Sequence, residues 1–255
     1  MEQPINFYNQ QGERIAGTLH LPKRSAGCAV VFGHCFTCSR HTRIIRQICS
    51  ELAEKEIVTL RFDFSGNGQS EGEFSESNYS KQIIEMQTAA GVMTEKGVRR
   101  IGLAGHSMGA VIAVLTAART MSVKAVCALA GRLSGLNASH FFSKKQQKEL
   151  ENTGSVSFNS RGRSLLLSTN FFADAKQYDL PETVKSLQKP LMIVHGDADE
   201  IIPVQDAYLA KTLNPEYTEL VVIPGADHMF SAEMHRIQTS NLVVKWFKEH
   251  LHEPL

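Results

Sequence analysis

The stretch 101–109, IGLAGHSMG, constrains this chain most, because an apolar run passes through Gly105-His106-Ser107-Met108-Gly109 directly into the helix-forming AVIAVLTAA. A strand that turns sharply into a helix satisfies such a sequence: the small residues two before and two after the serine let the backbone bend and lift its hydroxyl clear. Ser107 is therefore the candidate nucleophile. A bare G-x-S-x-G also arises by chance in glycine-containing loops, so its meaning depends on whether a base, an acid and oxyanion donors lie elsewhere at workable places.

The surrounding pattern supplies a sheet. Residues 5–9 and 16–21 alternate as a hairpin turned at Gln10-Gln11-Gly12, whereas 28–33 (CAVVFG), 57–62 (IVTLRF), 101–104, 125–130 (AVCALA), 190–196 (PLMIVHG) and 218–225 (TELVVIPG) are short continuous apolar runs suited to strands buried on both faces. Helix-forming segments at about 41–55, 79–96, 204–213 and 232–250 separate or follow them. This alternation predicts an α/β fold with a mostly parallel central sheet and helices on both faces. Between 131 and 188 the buried-strand pattern stops. A polar helix at 141–152, a short hairpin at 155–158 and 163–168, and a helix begun by Pro181 are expected there, as a cap inserted at about 132–187 in a single domain spanning 1–255.

Charge narrows the partners. Lys+Arg 27 against Asp+Glu 26 leaves a near-neutral chain of 255 residues with no basic run, so neither nucleic acid nor an anionic membrane is an expected partner, and an uncharged small-molecule substrate is. The first 22 residues lack the basic start and long apolar core of a signal peptide, and no apolar stretch is long enough to span a bilayer. Five scattered cysteines point to free thiols and a cytoplasmic location, with a homodimer left open. Cys35-x-x-Cys38 lacks the further ligands of a zinc site and the helix-opening context of a redox pair, and the FSGNGQSEG loop at 64–72 lacks the helix that a dinucleotide fingerprint requires. Neither a metal nor a cofactor is expected.

Reactive residues fall just after the apolar runs, where open α/β sheets bind ligands. Ser107 follows 101–104, Asp197 and Asp199 follow 190–195, and His228 follows 218–223, giving the chain order Ser, Asp, His. Serine needs a base to take its proton, for which His228 is the candidate; His106, adjacent on so tight a turn, projects elsewhere. A carboxylate must orient that base, and both aspartates of HGDADEIIP are in position. Acyl transfer further requires donors for the oxyanion. These are the amide of Met108, after the nucleophile, and the amide of Phe36 in the loop after 28–33.

Together GHSMG, HGDADEIIP, GADHMF and RFDFSGNGQSEG resemble the nucleophile elbow, acid loop, histidine loop and fourth-strand loop of the α/β-hydrolase superfamily, over nearly the whole chain outside the cap. Within it the chain is similar to small-cap serine esterases, including cinnamoyl and feruloyl esterases, and to serine aminopeptidase-like hydrolases. The resemblance implies an α/β-hydrolase fold, selects Asp199 over Asp197 as the acid, and implies a carboxylic-ester hydrolase working through acyl-Ser107, with small or aromatic uncharged acyl groups. Thioester or amide hydrolysis by the same triad, and a slow-turnover ligand-binding protein, are the alternatives. His34-Cys35 departs from the family's usual His-Gly before the oxyanion amide. In the cap, Phe141, Phe142, Phe171 and Phe172 are the candidate substrate-binding residues, and Asp174 or Gln177 a candidate partner for a polar substituent.

Overall fold

A computed structural model of the protein describes residues 1–25, 27–136 and 142–251. Its main sheet has eight strands in the order β1-β2-β4-β3-β5-β6-β9-β10: β1 Glu2–Tyr8, β2 Arg14–His20, β3 Cys28–Gly33, β4 Val58–Phe62, β5 Arg100–His106, β6 Val123–Leu129, β9 Leu191–Gly196 and β10 Thr218–Ile223. β1 and β2 are antiparallel, β2 pairs antiparallel with β4, and every later pairing is parallel. The composition of the strands explains the division. Every residue of β3, β4 and β9 is buried, as a strand covered on both faces requires, whereas β1 at the edge is mostly exposed.

Two apolar clusters flank the sheet. On one face lie α2 (Tyr79–Glu95) and α3 (Met108–Ala118); on the other, α1 (Arg43–Glu54) and α8 (Glu233–Leu251) pack together through residues such as Ile45, Ile48, Val243 and Phe247. No helix among the described residues is long and apolar enough to cross a membrane.

The segment between β6 and β9 does not join the main sheet. It forms α4 (Lys144–Thr153), a separate hairpin of β7 (Ser155–Ser160) and β8 (Arg163–Ser168), α5 (Thr169–Ala175) and α6 (Leu180–Ser186), before α7 (Gln205–Leu213) follows β9. The helix expected from 141 begins at Lys144 instead, because Ser143 and Gln146 close a reciprocal capping box there. Helix α5 was not foreseen; its seven residues, TNFFADA, are too few to show a period.

One expectation about the cysteines is overturned. Cys35 and Cys38 are joined as a disulfide, while Cys28, Cys49 and Cys127 are free and buried. The loop after β3 folds into a tight turn in which the Cys38 amide donates to the Cys35 carbonyl at 3.1 Å, bringing the two Cα atoms to 5.2 Å.

Candidate active site

Ser107 sits between β5 and α3 with φ 55° and ψ −117°, a backbone region that costs a non-glycine residue about 1–3 kcal/mol. The two flanking glycines permit the turn. A Cβ on Gly105 would lie 2.1 Å from the Gly109 carbonyl group, and one on Gly109 would lie 2.3 Å from the Gly33 carbonyl oxygen. Since both obstacles are backbone, Gly109→Ala is expected to abolish soluble folded protein or lower stability by about 3 kcal/mol or more, read as soluble yield and melting temperature. The Ser107 amide donates to Leu129 O at 2.8 Å, which pins the elbow to the end of β6.

Asp199 and His228 come from the loops after β9 and β10. His228 Nδ1 donates to Asp199 Oδ2 at 2.8 Å, leaving Nε2 as the proton acceptor. Asp199 Oδ1 accepts from the amides of Ile201 at 2.9 Å and Ile202 at 2.8 Å. His195 Nε2 also lies 3.2 Å from Asp199 Oδ2 and donates to Ile202 O at 2.8 Å. Burial alone would raise the Asp199 carboxyl, but the hydrogen bonds from His195, His228 and Ile202 outweigh it and hold the group well below the usual carboxylate range. His195 was missed in the sequence reading, although its place four residues before Asp199 at the end of a buried strand was a usable signal. Asp197 takes another part: its Oδ1 accepts from Gly225 N at 2.6 Å and so ties the acid loop to the histidine loop. His106, fully buried, donates from Nε2 to the His228 carbonyl at 2.7 Å; burial and the neighbouring His228 push its pKa down to about 3, so the ring stays neutral and acts on the backbone of that loop.

The loop after β3 is held from three sides. His34 Nδ1 donates to the Cys35 carbonyl at 2.7 Å while Nε2 accepts the Phe64 amide at 3.0 Å, a tautomer suited to a ring that burial keeps neutral. Because the Cys35 carbonyl and the Phe36 amide belong to one planar trans peptide, fixing the first aims the second the opposite way. Behind the loop, Asp63 accepts from the Arg40 amide at 2.6 Å, the Gln69 amide at 2.9 Å and the Arg40 guanidinium. The glycine-rich segment after β4 thus spends its amides on Asp63 and on internal turns rather than on a phosphate cradle. Among the described residues the Phe36 and Met108 amides donate to no protein acceptor.

Ser107, His228, Phe36 and Met108 line one cavity of about 690 Å³. Its far wall is aromatic. Phe158 stacks parallel to Phe36 at 6.1 Å between centroids, Phe171 stands 5.4 Å from Phe36, and Phe142 stands 5.9 Å from Phe158. Of the cap candidates, Phe142 and Phe171 line the cavity, Phe141 lies outside the described residues, and Phe172 is displaced from the lining because its ring packs edge-on behind Phe171 and Phe142. Asp174 is also withdrawn from the cavity. It is buried against α2, accepting from the Ser80 amide at 2.9 Å and from the Gln177 side chain at 3.2 Å. Phe158 and Tyr79, not singled out as site residues, complete the wall.

Residues 51–254 match the peptidase S9, or prolyl oligopeptidase, family. The chain belongs to the prolyl oligopeptidase family. Among curated proteins, this member of the family is 26% identical over 240 residues to the uncharacterized protein YfhR of Salmonella typhi, covering 89% of the chain and 74% of that relative. It is 22% identical over 246 residues to a putative phosphoribosyl transferase of Mycobacterium tuberculosis, covering 94% of the chain and 45% of the relative, so it spans less than half of that protein. Among solved structures, Est1E of Butyrivibrio proteoclasticus with ferulic acid bound superposes with a TM-score of 0.83 at 25% identity, over 96% of this chain and 98% of that one. The esterase domain of a Rhodothermus marinus protein superposes at 0.75 with 21% identity, over 98% and 99% of the two chains. The fold is that of the α/β-hydrolases, and the family is one of hydrolases.

Proposed function

We propose that this protein hydrolyses carboxylic esters through an acyl-Ser107 intermediate. The observation that carries the reading is the 2.8 Å bond from His228 to a buried Asp199, with His228 and Ser107 lining one cavity. In the first half-reaction Ser107 Oγ bonds to the carbonyl carbon as its proton passes to His228 Nε2. The carbonyl electrons move onto the oxygen, which the Phe36 and Met108 amides receive. As the tetrahedral intermediate collapses, the ester C–O bond breaks and His228 gives its proton to the departing oxygen. Water then repeats the sequence, with His228 as base, to release the acid and restore Ser107. Asp199 stays ionised throughout and stabilises the imidazolium.

The aromatic wall favours a planar or apolar acyl group, because Phe36, Phe158 and Phe171 present their rings to it. Family membership favours a second reading, amide hydrolysis by the same residues. Activity on p-nitrophenyl acetate, butyrate and aryl esters, set against matched thioesters and peptide anilides, decides between them. Ester turnover at least about 100-fold above amide turnover is expected, and the reverse order would install the peptidase reading.

His34 gives a narrower test of the oxyanion loop. His34→Phe preserves a ring against Phe64, whose centroid lies 5.0 Å away, but removes the donor that fixes the Cys35 carbonyl. A fall in kcat of about 10²-fold with KM little changed is expected from steady-state kinetics, the size seen when one oxyanion donor is lost.

A further inference from the structure

A second cavity, of about 570 Å³, adjoins the catalytic one, and Thr37, Arg161 and Met229 line both. Its walls carry Arg43, Arg161, Arg163 and Arg236, and no aspartate or glutamate among the described residues. What the guanidinium groups of Arg161, Arg163 and Arg236 touch is neutral. Arg161 Nη2 reaches Met229 Sδ at 3.7 Å, Arg163 Nη2 donates to Thr37 O at 3.1 Å and Asn67 Oδ1 at 3.2 Å, and Arg236 Nη1 donates to the carbonyls of Phe230 and Ser231. Four like charges around one hollow repel one another unless an anion enters it.

The local fold does not account for Arg161. It occupies the first central position of the β7–β8 turn at φ 51°, followed by Gly162 at φ 74°, where asparagine or glycine would serve without strain. The helix α1 begins at the same cavity. Thr42 and Arg43 line it, the cap position gives no side-chain hydrogen bond, and the first turn has no acidic residue, so the helix's positive end is uncompensated there. The near-neutral net charge, which suggested an uncharged substrate, is a sum over the chain and conceals this concentration.

We propose that this second cavity binds an anionic group, a carboxylate or a phosphate, carried by the leaving group of the ester. The side is set by chemistry, and here the inference rests on the ester-hydrolase reading. The leaving oxygen takes its proton from His228, the next residue, Met229, lines both cavities, and the aromatic wall lies instead beside Phe36. A leaving group departing past His228 and Met229 therefore enters the arginine cavity, while the acyl group remains against the phenylalanines.

Calorimetry at pH 7 with three phenols that stand for leaving groups tests this: 4-hydroxybenzoate, 4-hydroxyphenyl phosphate and the neutral ketone 4-hydroxyacetophenone, which carries no ester. At least one anion is expected to bind about tenfold or more tightly than the neutral ketone, to weaken as salt is raised, and to lose about fivefold or more in Arg161→Asn, whose side chain suits the turn. The stronger of the two anions identifies carboxylate or phosphate. A second variant, Arg43→Gln, which lies on a different element, is expected to show the same selective loss. Affinity for both anions no greater than for the neutral ketone, or unchanged anion affinity in both variants, would overturn the proposal. Turnover of a neutral p-nitrophenyl ester by the wild-type protein is scored separately, so that failure of the ester reading and failure of the anion site give different results.

Discussion

Ser107→Ala is expected to lower kcat on an activated ester by about 10⁴-fold or more while leaving the fold and the binding of product phenols intact, because only the attacking oxygen is removed. Steady-state rates and a melting curve on the same preparation read both effects. The companion variant Ser107→Gly is expected to be equally inactive but more stable, by about 1–2 kcal/mol, since glycine accepts φ 55° and ψ −117° without the steric conflict that a Cβ brings. If Ser107→Gly melted below the wild-type protein, the strain assigned to the elbow would be absent.

Asp199→Asn is the second large effect. The carboxylate accepts from His228, His195 and two amides, and an asparagine presents one N–H₂ where all four partners donate. If the amide nitrogen faces His228, the imidazole must turn to the tautomer protonated on Nε2, which cannot take the Ser107 proton. A loss of about 10⁴-fold in kcat is expected, with substrate affinity changed far less. Stability should move with pH in a defined direction. The native Asp199 carboxyl is held below its unfolded value near 3.9, so its ionisation contributes stability that is fully present above about pH 4 and is lost as pH falls through the native value. Wild type and Asp199→Asn should therefore differ most at neutral pH and converge in acid, as chemical denaturation at several pH values would show. A gap that widened on acidification would contradict the assignment.

Much of this was legible because parallel strands covered on both faces write themselves as apolar runs. CAVVFG, VTLRF and LMIVHG became β3, β4 and β9 with every residue buried, and the residues after such runs lie at one edge of the sheet. That is why Ser107, Asp199 and His228 could be named together from sequence, although their separations of 92 and 29 residues carry no signal by themselves. The cap was harder. Its hairpin buries only part of each strand, and which aromatic faces the cavity depends on how the hairpin docks, so Phe158 was passed over and Phe172 chosen. Docking rests on long-range contacts such as Thr37 Oγ1 with Ser160 Oγ at 2.7 Å, between residues 123 apart. The disulfide was missed because an odd count of cysteines says nothing about one tight turn, and the arginine cavity because its members come from four separate segments.

Ester cleavage through a covalent bond to Ser107 can be read by mass spectrometry of the protein treated with a fluorophosphonate probe. A single adduct on the peptide containing Ser107 is expected, formed in step with loss of esterase activity and absent from Asp199→Asn over the same interval. An adduct on another residue, or unlabelled Ser107 in protein that still turns over ester, would contradict it.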